Sequence, residues 1–287
     1  MHIITVDLQS SLPLTCTRIG TCCHGNQVLL NPWELFRIAQ EKGMTPREFR
    51  DLHCEFGGIR LRFNGKTGPK GKPACSQYME DFGCSVHEGR PLACRLFPLA
   101  RQIQNHEVHY AYQGDHFPCL DGCPEVTKLP HLLVSDYLHE QATAPFETAQ
   151  DAYVELMQNM ADIAFGILLD TDLAASGDKE TLPLWRTMAN ESPDKLAARI
   201  GSEWIDTLML PEITDCQDPF DFAQRHAELL QEETQKQFGA LQTLPELHTA
   251  SVSMMGVALY LAHAVGAHPS ALIEHWIEVA KENGALE

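Results

Sequence analysis

The chain has 287 residues, 44% of them hydrophobic, and a formal net charge of −18, so it is long enough for one large or two ordinary domains. Residues 1–130 carry 14 basic and 13 acidic side chains, whereas residues 131–287 carry 7 and 26. A protein that binds the nucleic-acid backbone needs a concentrated positive surface, and neither half has one, so we expect no nucleic-acid partner. The acidic half could repel anionic partners or could serve only as a solubility feature.

Membrane insertion and export are also not expected. Residues 1–7 lack the basic segment and the long apolar stretch of a signal peptide. The uncharged run at residues 249–273 is interrupted by Gly256, Gly266 and Pro269, which favours a buried core helix over a membrane span. We therefore expect a cytoplasmic protein with no membrane partner.

Two helices are predicted in the first 58 residues. Asn31 suits the N-cap of the first helix, and Gly43 suits its C-terminal stop. The second helix begins at Thr45, where Glu48 has capping-box spacing, and it should end before residues 57–58. Cys54 would then lie within the second helix, where a packed thiol is favoured over a metal ligand.

Short strands are predicted between residues 59 and 112. Residues 59–63 alternate like a strand with one buried face, and residues 75–79 favour another short strand. Residues 99–104 and 107–112 predict a hairpin that turns at residues 105–106.

The pattern changes after residue 130. Helices are predicted at residues 131–142, 146–169, 193–209, 219–240, 247–265 and 270–283. The expected fold is α+β and mostly helical. It consists of a small irregular cysteine-cluster domain with short strands at residues 1–130, followed by an acidic, antiparallel all-α domain at residues 131–287.

Nine of the ten cysteines lie in residues 1–123, and only Cys216 lies beyond. Clustered cysteines in a large chain without an export signal indicate metal ligands or redox groups. The candidate ligands are Cys16, Cys22, Cys23, Cys75, Cys84, Cys94, Cys119 and Cys123. Thiolates hold both zinc and iron–sulfur clusters, so a cluster plus zinc, two zincs, one site with spare redox thiols, and a purely fold-stabilising zinc site all stay open.

Two arginines accompany the central cysteines. Arg90 lies between Cys84 and Cys94, and Arg95 follows directly. The negative charge of metal-binding thiolates must be offset, and arginine keeps its proton and can donate a hydrogen bond to sulfur. We therefore predict that Arg90 and Arg95 contact the bound cofactor.

The cysteine pattern resembles the YkgJ-type cysteine-cluster family. Its opening Cys-x-x-Cys-x-x-Cys-Cys motif is matched by Cys16, Cys22 and Cys23, although Ile19 stands in place of the second cysteine. Its Arg-Pro-x-x-Cys-Arg-x-Phe/Tyr-Pro block is matched by residues 90–98. Cys75, residues 84–87 and Cys119 match its remaining features, so the resemblance covers residues 14–124, and Cys123 could compensate for Ile19.

Members of that family are described as metal-chelating proteins or iron–sulfur oxidoreductases, and one branch includes flagellin lysine methylases. The resemblance implies an iron–sulfur cluster, iron or zinc, and a redox or protein-modifying enzyme with a protein substrate or an electron-transfer partner. The alternative is a zinc-stabilised protein-interaction module without catalytic activity. The chain has no thioredoxin-like Cys-x-x-Cys and no His-Glu-x-x-His motif, so no catalytic residue is assigned.

Overall fold

The structure is a computed structural model that describes residues 4–14, 16, 20–68, 71–104, 107–112 and 129–287. Short strands lie in the N-terminal part and helices follow, which confirms the predicted α+β, mostly helical class. The strands in these ranges are Ile4–Val6, Ser11–Leu12, Cys54–Glu55, Arg60–Leu61, Tyr78–Met79, Gly83–Cys84, Leu99–Gln104, Glu107–Tyr112 and Leu132–Leu133. The α-helices in these ranges are Pro32–Lys42, Pro46–His53, Leu92–Leu96, Val134–Glu140, Ala144–Leu169, Asp172–Ala175, Thr181–Ala189, Pro193–Ile200, Ser202–Met209, Pro219–Phe238, Leu244–Ala264 and Pro269–Glu282.

The chain divides into two compact units. The first, here called the cysteine unit, comprises Met1–Val28, Phe36–Glu55 and Arg60–Glu147. The second, here called the helical unit, comprises Leu29–Leu35, Phe56–Ile59 and Thr148–Glu287. The domain boundary expected at residue 130 stays a prediction.

The cysteine unit contains a three-stranded antiparallel sheet. Its central strand, Glu107–Tyr112, pairs with Ile4–Val6 on one side and with Leu99–Gln104 on the other. The hairpin register places Leu99 opposite Tyr112, which confirms the predicted hairpin, while its turn at residues 105–106 lies outside the described residues. A core of buried side chains lies at this end of the sheet, formed by Leu14, Leu99, Tyr112, Val134 and Tyr137.

Both predicted N-terminal helices are confirmed at their starts. Asn31 Oδ1 accepts a hydrogen bond from the Glu34 backbone N–H at 2.9 Å and caps the helix Pro32–Lys42. The Thr45 hydroxyl caps the helix Pro46–His53, and the Glu48 carboxylate accepts the Thr45 backbone N–H at 2.9 Å. These side chains satisfy donors that the first turn of a helix leaves without intrahelical partners.

The second helix ends before residues 57–58, as predicted, but the expectation that Cys54 lies within it was wrong. The helix ends at His53, and Cys54 lies in the two-residue strand Cys54–Glu55, opposite Leu61. The Arg62 backbone N–H donates to the His53 carbonyl at 2.8 Å, which continues the pairing and ends the helix. Cys54 is buried, and burial raises the pKa of its thiol to about 12.

The short strands are shorter than predicted. Of residues 59–63, only Arg60–Leu61 forms a strand, and of residues 75–79 only Tyr78–Met79 does. Cys75 instead begins a turn, because its carbonyl accepts the Tyr78 N–H at 2.9 Å. Sequence alternation could not reveal this turn.

The helices of the helical unit begin and end at positions that differ from the prediction. The helix expected at residues 193–209 is divided at Gly201, whose φ of 92° belongs to a region that favours glycine. The structure also adds the helices Asp172–Ala175 and Thr181–Ala189. In the cysteine unit, the helix predicted at residues 131–142 is observed as Val134–Glu140, and the strand Leu132–Leu133 precedes it.

The uncharged run at residues 249–273 is split between two helices. The first is Leu244–Ala264, in which residues 254–262 are all buried. Gly266 then has a φ of 73°, and the helix Pro269–Glu282 follows. Among the described residues, no helix combines the length and the apolar character that crossing a membrane requires.

Candidate metal centre

Six of the eight predicted metal ligands lie in the described part of the cysteine unit. They are Cys16, Cys22, Cys23, Cys75, Cys84 and Cys94, and each is a free thiol. The other two candidates, Cys119 and Cys123, lie outside the described residues, as does Ile19.

A glycine turn and a backbone hydrogen bond join the first cysteines to Cys75. Gly20 has a φ of 81°, and its carbonyl accepts the Cys23 N–H at 2.9 Å. A Cβ at Gly20 would lie 2.1 Å from Cε2 of Tyr78, so only glycine fits here without a shift. The Cys23 carbonyl then accepts the Cys75 N–H at 2.7 Å, which holds the two cysteine-bearing segments side by side.

A tight hairpin carries the chain from Cys75 to Cys84. The strands Tyr78–Met79 and Gly83–Cys84 pair antiparallel, with Tyr78 opposite Cys84. The Tyr78 N–H also donates to the Cys75 carbonyl at 2.9 Å. This geometry returns Cys84 to the neighbourhood of Cys75 within nine positions of sequence.

Cys94 lies in the short helix Leu92–Leu96. Its backbone N–H donates to the Pro91 carbonyl at 3.0 Å, so the proline at the N-cap sets the first turn that carries the thiol. Proline fixes φ near the helical value and thus stiffens this entry. The cysteine that follows Arg90-Pro91 is therefore placed by regular local structure.

The electrostatics of these thiols show that they lie together. Desolvation raises the pKa of Cys94 well above its ordinary value, and Cys75, Cys22 and Cys84 raise it further. Desolvation likewise raises the pKa of Cys84, with added contributions from Cys16 and Cys22. Cys16, Cys22, Cys75, Cys84 and Cys94 are thus near enough to act on one another's charge, and together with Cys23 they are here called the cysteine cluster.

The pKa values of Cys23 and Cys75 are raised as well. A hydrogen bond between the side chains of Cys22 and Cys23, followed by desolvation, raises the pKa of Cys23. Desolvation raises the pKa of Cys75 to about 11. Near neutral pH these thiols keep their protons unless a cation supplies the missing positive charge, as metal binding by cysteine requires.

The donor chemistry of the cluster fits zinc or iron. Soft sulfur ligands select these metals over magnesium or calcium. Within the ranges that the structure describes, no three or more histidine, cysteine, aspartate or glutamate side chains are already arranged as a metal-ligand set. A bound cation is what draws thiolate sulfurs around a common point, so we expect the ligand geometry to form as the metal binds and the protons leave.

Arg90 contacts one sulfur of the cysteine cluster, and its predicted contact with a cofactor stays a prediction. It is only 6% exposed, and its Nη1 donates to Cys16 Sγ at 3.4 Å. Its charge lowers the pKa of Cys84 and Cys94 against the larger effect of desolvation. Its buried Nε has no hydrogen-bond acceptor among the described atoms. An orphaned buried donor is costly, and a sulfur atom of a loaded centre would supply the acceptor.

Arg95 directs its donors to backbone carbonyls. Its Nε donates to the Arg90 carbonyl at 2.8 Å, its Nη1 to the Gln141 carbonyl at 2.7 Å, and its Nη2 to the Glu88 carbonyl. Its guanidinium carbon lies 4.0 Å from the ring centroid of Phe146. These contacts fix the path of the chain around Arg90, while contact between Arg95 and a cofactor stays a prediction.

Sequence reasoning missed the residues that hold these arginines. Gln141 Oε1 accepts Arg90 Nη2 at 2.9 Å, and the Tyr137 hydroxyl lies 3.3 Å from the Arg95 carbonyl and donates to the Phe97 carbonyl at 2.6 Å. Both residues follow the cysteine motif by about 40 positions or more, and neither stands in a recognisable pattern. Only the fold brings them to the arginines.

The cysteine pattern was compared with models of known families. Residues 15–113 match the model described as "CxxCxxCC: Putative zinc- or iron-chelating domain". This segment of the chain is therefore similar to that family. The match confirms the resemblance predicted from the cysteine and arginine motifs.

The CxxCxxCC domain contains all six described cysteines of the cluster and both arginines. It leaves Cys119, Cys123 and Gln141 outside, and it covers about a third of the chain. Searches of curated proteins and of solved structures found no match. The family description supports zinc or iron binding and carries no statement about catalysis.

Proposed function

We propose that the CxxCxxCC domain binds iron as an iron–sulfur cluster, in a cytoplasmic protein. The observation that carries this proposal is the cysteine cluster itself: the Cys23 carbonyl accepts the Cys75 N–H, neighbouring cysteines raise the pKa of Cys84 and Cys94, and Arg90 donates to Cys16 Sγ. One structural zinc needs four ligands, and this cluster offers more. Hydrogen bonds to cysteine sulfur are among the groups that set the properties of iron–sulfur centres.

The corresponding activity is a redox or protein-modifying reaction. A bound iron–sulfur cluster supplies one-electron chemistry. The residues of this chain would hold it: the cysteines as ligands, Arg90 as a charge partner on Cys16, and Arg95 as the support of the Arg90 backbone. A protein substrate or an electron-transfer partner is part of the same proposal.

Metal and sulfide analysis of the full chain, purified without oxygen, tests the proposal. We expect iron, acid-labile sulfide and visible absorption that bleaches on reduction. A colourless protein with stoichiometric zinc and no sulfide would overturn the iron–sulfur proposal and favour the zinc-stabilised interaction module.

A groove in the helical unit favours that second candidate. It has a volume of about 530 Å³ and lies between the helices Ala144–Leu169 and Pro269–Glu282. Phe165 and Trp276 give it apolar walls, and Asp162 and Asp170 add carboxylates. A partner segment that combines apolar side chains with lysine or arginine would complement this lining.

A peptide that alternates lysine and leucine provides the probe for this groove. We expect saturable, salt-sensitive binding that the double change Asp162→Asn and Asp170→Asn weakens about tenfold. Glu155→Gln is the matched control, because Glu155 is exposed on the same helix but does not line the groove. Equal binding by the double variant and the control would exclude the groove as the docking site.

A further inference from the structure

We infer that Gln141 is a positioning residue of the metal centre, which holds Arg90 against the sulfur of Cys16. The inference rests on the proposed metal binding by the cysteine cluster. Gln141 lies outside the matched residues 15–113, at the C-cap of the helix Val134–Glu140. Its backbone N–H donates to the Tyr137 carbonyl at 2.9 Å, so the end of that helix fixes its place.

Gln141 binds both arginines through different atoms. Its side-chain Oε1 accepts Arg90 Nη2 at 2.9 Å, and its backbone carbonyl accepts Arg95 Nη1 at 2.7 Å. Arg95 Nε in turn donates to the Arg90 carbonyl at 2.8 Å. Gln141 therefore holds the side chain of Arg90 directly, and it holds the backbone of Arg90 through Arg95.

These hydrogen bonds set the direction of Arg90 Nη1. The guanidinium is planar and rigid, so fixing Nη2 on Gln141 also fixes the direction of Nη1. Nη1 is the atom that donates to Cys16 Sγ at 3.4 Å. A charged donor held at sulfur stabilises negative charge there, and a metal-binding thiolate carries that charge.

The side chain of Gln141 can be tested apart from its backbone. Gln141→Met removes the acceptor for Arg90 but keeps the length of the side chain and the carbonyl that binds Arg95. A purely structural role would therefore survive the change, whereas the positioning of Arg90 would not. Gln102→Met is the matched control, because Gln102 is an exposed residue of the sheet in the same unit.

The experiment measures metal retention by the full-length chain, purified without oxygen, against increasing EDTA. We expect the EDTA concentration that removes half of the metal to fall 10–100-fold in Gln141→Met, as for other groups that support metal ligands. It should not change in Gln102→Met. The metal-free forms of the parent and Gln141→Met should melt alike. The sulfur-to-metal absorption band, recorded after cobalt exchange if the metal is zinc, should shift.

A double-mutant cycle with Arg90→Met completes the test. Because Gln141 acts through Arg90, adding Gln141→Met to Arg90→Met should weaken metal retention no further. Equal retention by the parent and Gln141→Met, or full additivity with Arg90→Met, would overturn this inference alone. A parent chain that holds no metal would overturn the proposed function and this inference with it.

Discussion

At the scale of single residues, three neighbouring cysteines act on the thiol of Cys94. Desolvation, Cys75, Cys22 and Cys84 raise its pKa, and Arg90 lowers it. We expect Cys94→Ser to lose the metal, because a serine hydroxyl does not replace a thiolate. Binding energy coupled to folding, on the order of 10 kcal/mol for a structural zinc, would be lost with it. Metal analysis and thermal melting without oxygen measure both effects.

Cys54→Ser is the control for that change. Cys54 is also buried, and Cys75 lies near enough to raise its pKa, although burial is the main cause. We expect unchanged metal stoichiometry and a modest loss of stability, about 1–3 kcal/mol for a buried hydroxyl without a partner. Loss of metal from Cys54→Ser would show that Cys54 is a ligand.

At the scale of single residues, the sequence predicted that Cys16 and Arg90 belong to one site, and the structure places Arg90 Nη1 3.4 Å from Cys16 Sγ, while the metal ligands themselves stay a prediction. Cysteine spacing and the Arg90-Pro91 pair are local patterns, and local patterns can be recognised in the sequence without knowledge of the fold. Gln141 could not be predicted, because it binds Arg90 and Arg95 from beyond the motif. The residues next to Gln141 in the sequence form an ordinary polar helix end and give no sign of its contact with the arginines.

At the scale of elements, the turn at Gly20 is needed to bring Cys22 and Cys23 beside the strand that begins at Tyr78. Gly20→Ala would place a Cβ 2.1 Å from Tyr78 Cε2, at a φ of 81°. We expect the displaced turn to weaken metal retention at least tenfold, since outer-shell changes cost this much. Metal retention against EDTA provides the measurement.

Gly43→Ala is the matched control for the glycine turn. Gly43 has a similar φ of 71°, but a Cβ there meets nothing within 4 Å. We expect it to cost about 1–2 kcal/mol of backbone strain and to leave the metal in place. If both alanines affect the metal equally, backbone strain and not the collision with Tyr78 is responsible.

Three helices of the helical unit meet at a buried histidine. Tyr153 Oη donates to His226 Nδ1 at 2.9 Å, and His226 Nε2 donates to the Thr207 carbonyl at 3.0 Å. Desolvation lowers the pKa of His226 from its usual 6.5 to about 4. In the unfolded chain the His226 side chain therefore binds a proton as the pH falls below 6.5, whereas in the folded chain it does so only near pH 4.

Stability from His226 is thus present above pH 6.5 and is lost as the pH falls toward 4. The difference between the two pKa values corresponds to about 3 kcal/mol at most. Urea unfolding between pH 7 and pH 4 should show this loss in the parent and a smaller one in His226→Gln, which keeps a donor and an acceptor but does not titrate. Equal slopes in both proteins would assign the acid sensitivity to other groups.

Secondary structure followed the sequence where local signals acted alone. The caps at Asn31 and Thr45 and the alternating hairpin at residues 99–112 are such signals. Prediction failed at two positions. Cys75 donates its N–H to the Cys23 carbonyl and accepts the Tyr78 N–H in a turn, where a strand was predicted. Gly201, with a φ of 92°, divides one predicted helix into two. Neither event has a signal in the periodicity of side chains.

At the scale of the whole molecule, the cysteines lie almost entirely in one unit. Nine of ten are in residues 1–123, and the six described candidate ligands all belong to the cysteine unit. The helical unit has a core of its own, with Met254, Met255 and Leu259 fully buried. Metal removal should therefore affect the two units differently.

Hydrogen exchange after chelation tests this difference. We expect amides in residues 20–25 and 73–84 to lose protection when EDTA removes the metal, because their hydrogen bonds connect the cysteine segments. Amides of the helix Leu244–Ala264 should keep theirs. Loss of protection in that helix alone would place the metal in the helical unit instead.

X-ray absorption at the edge of the bound metal, on the full chain purified without oxygen, tests thiolate ligation most directly. We expect sulfur to dominate the nearest neighbours, at about 2.3 Å if the metal is zinc. Cys94→Ser should lose the signal along with the metal. A first shell made only of nitrogen and oxygen, at about 2.0–2.1 Å for zinc, would contradict metal binding by the cysteine cluster.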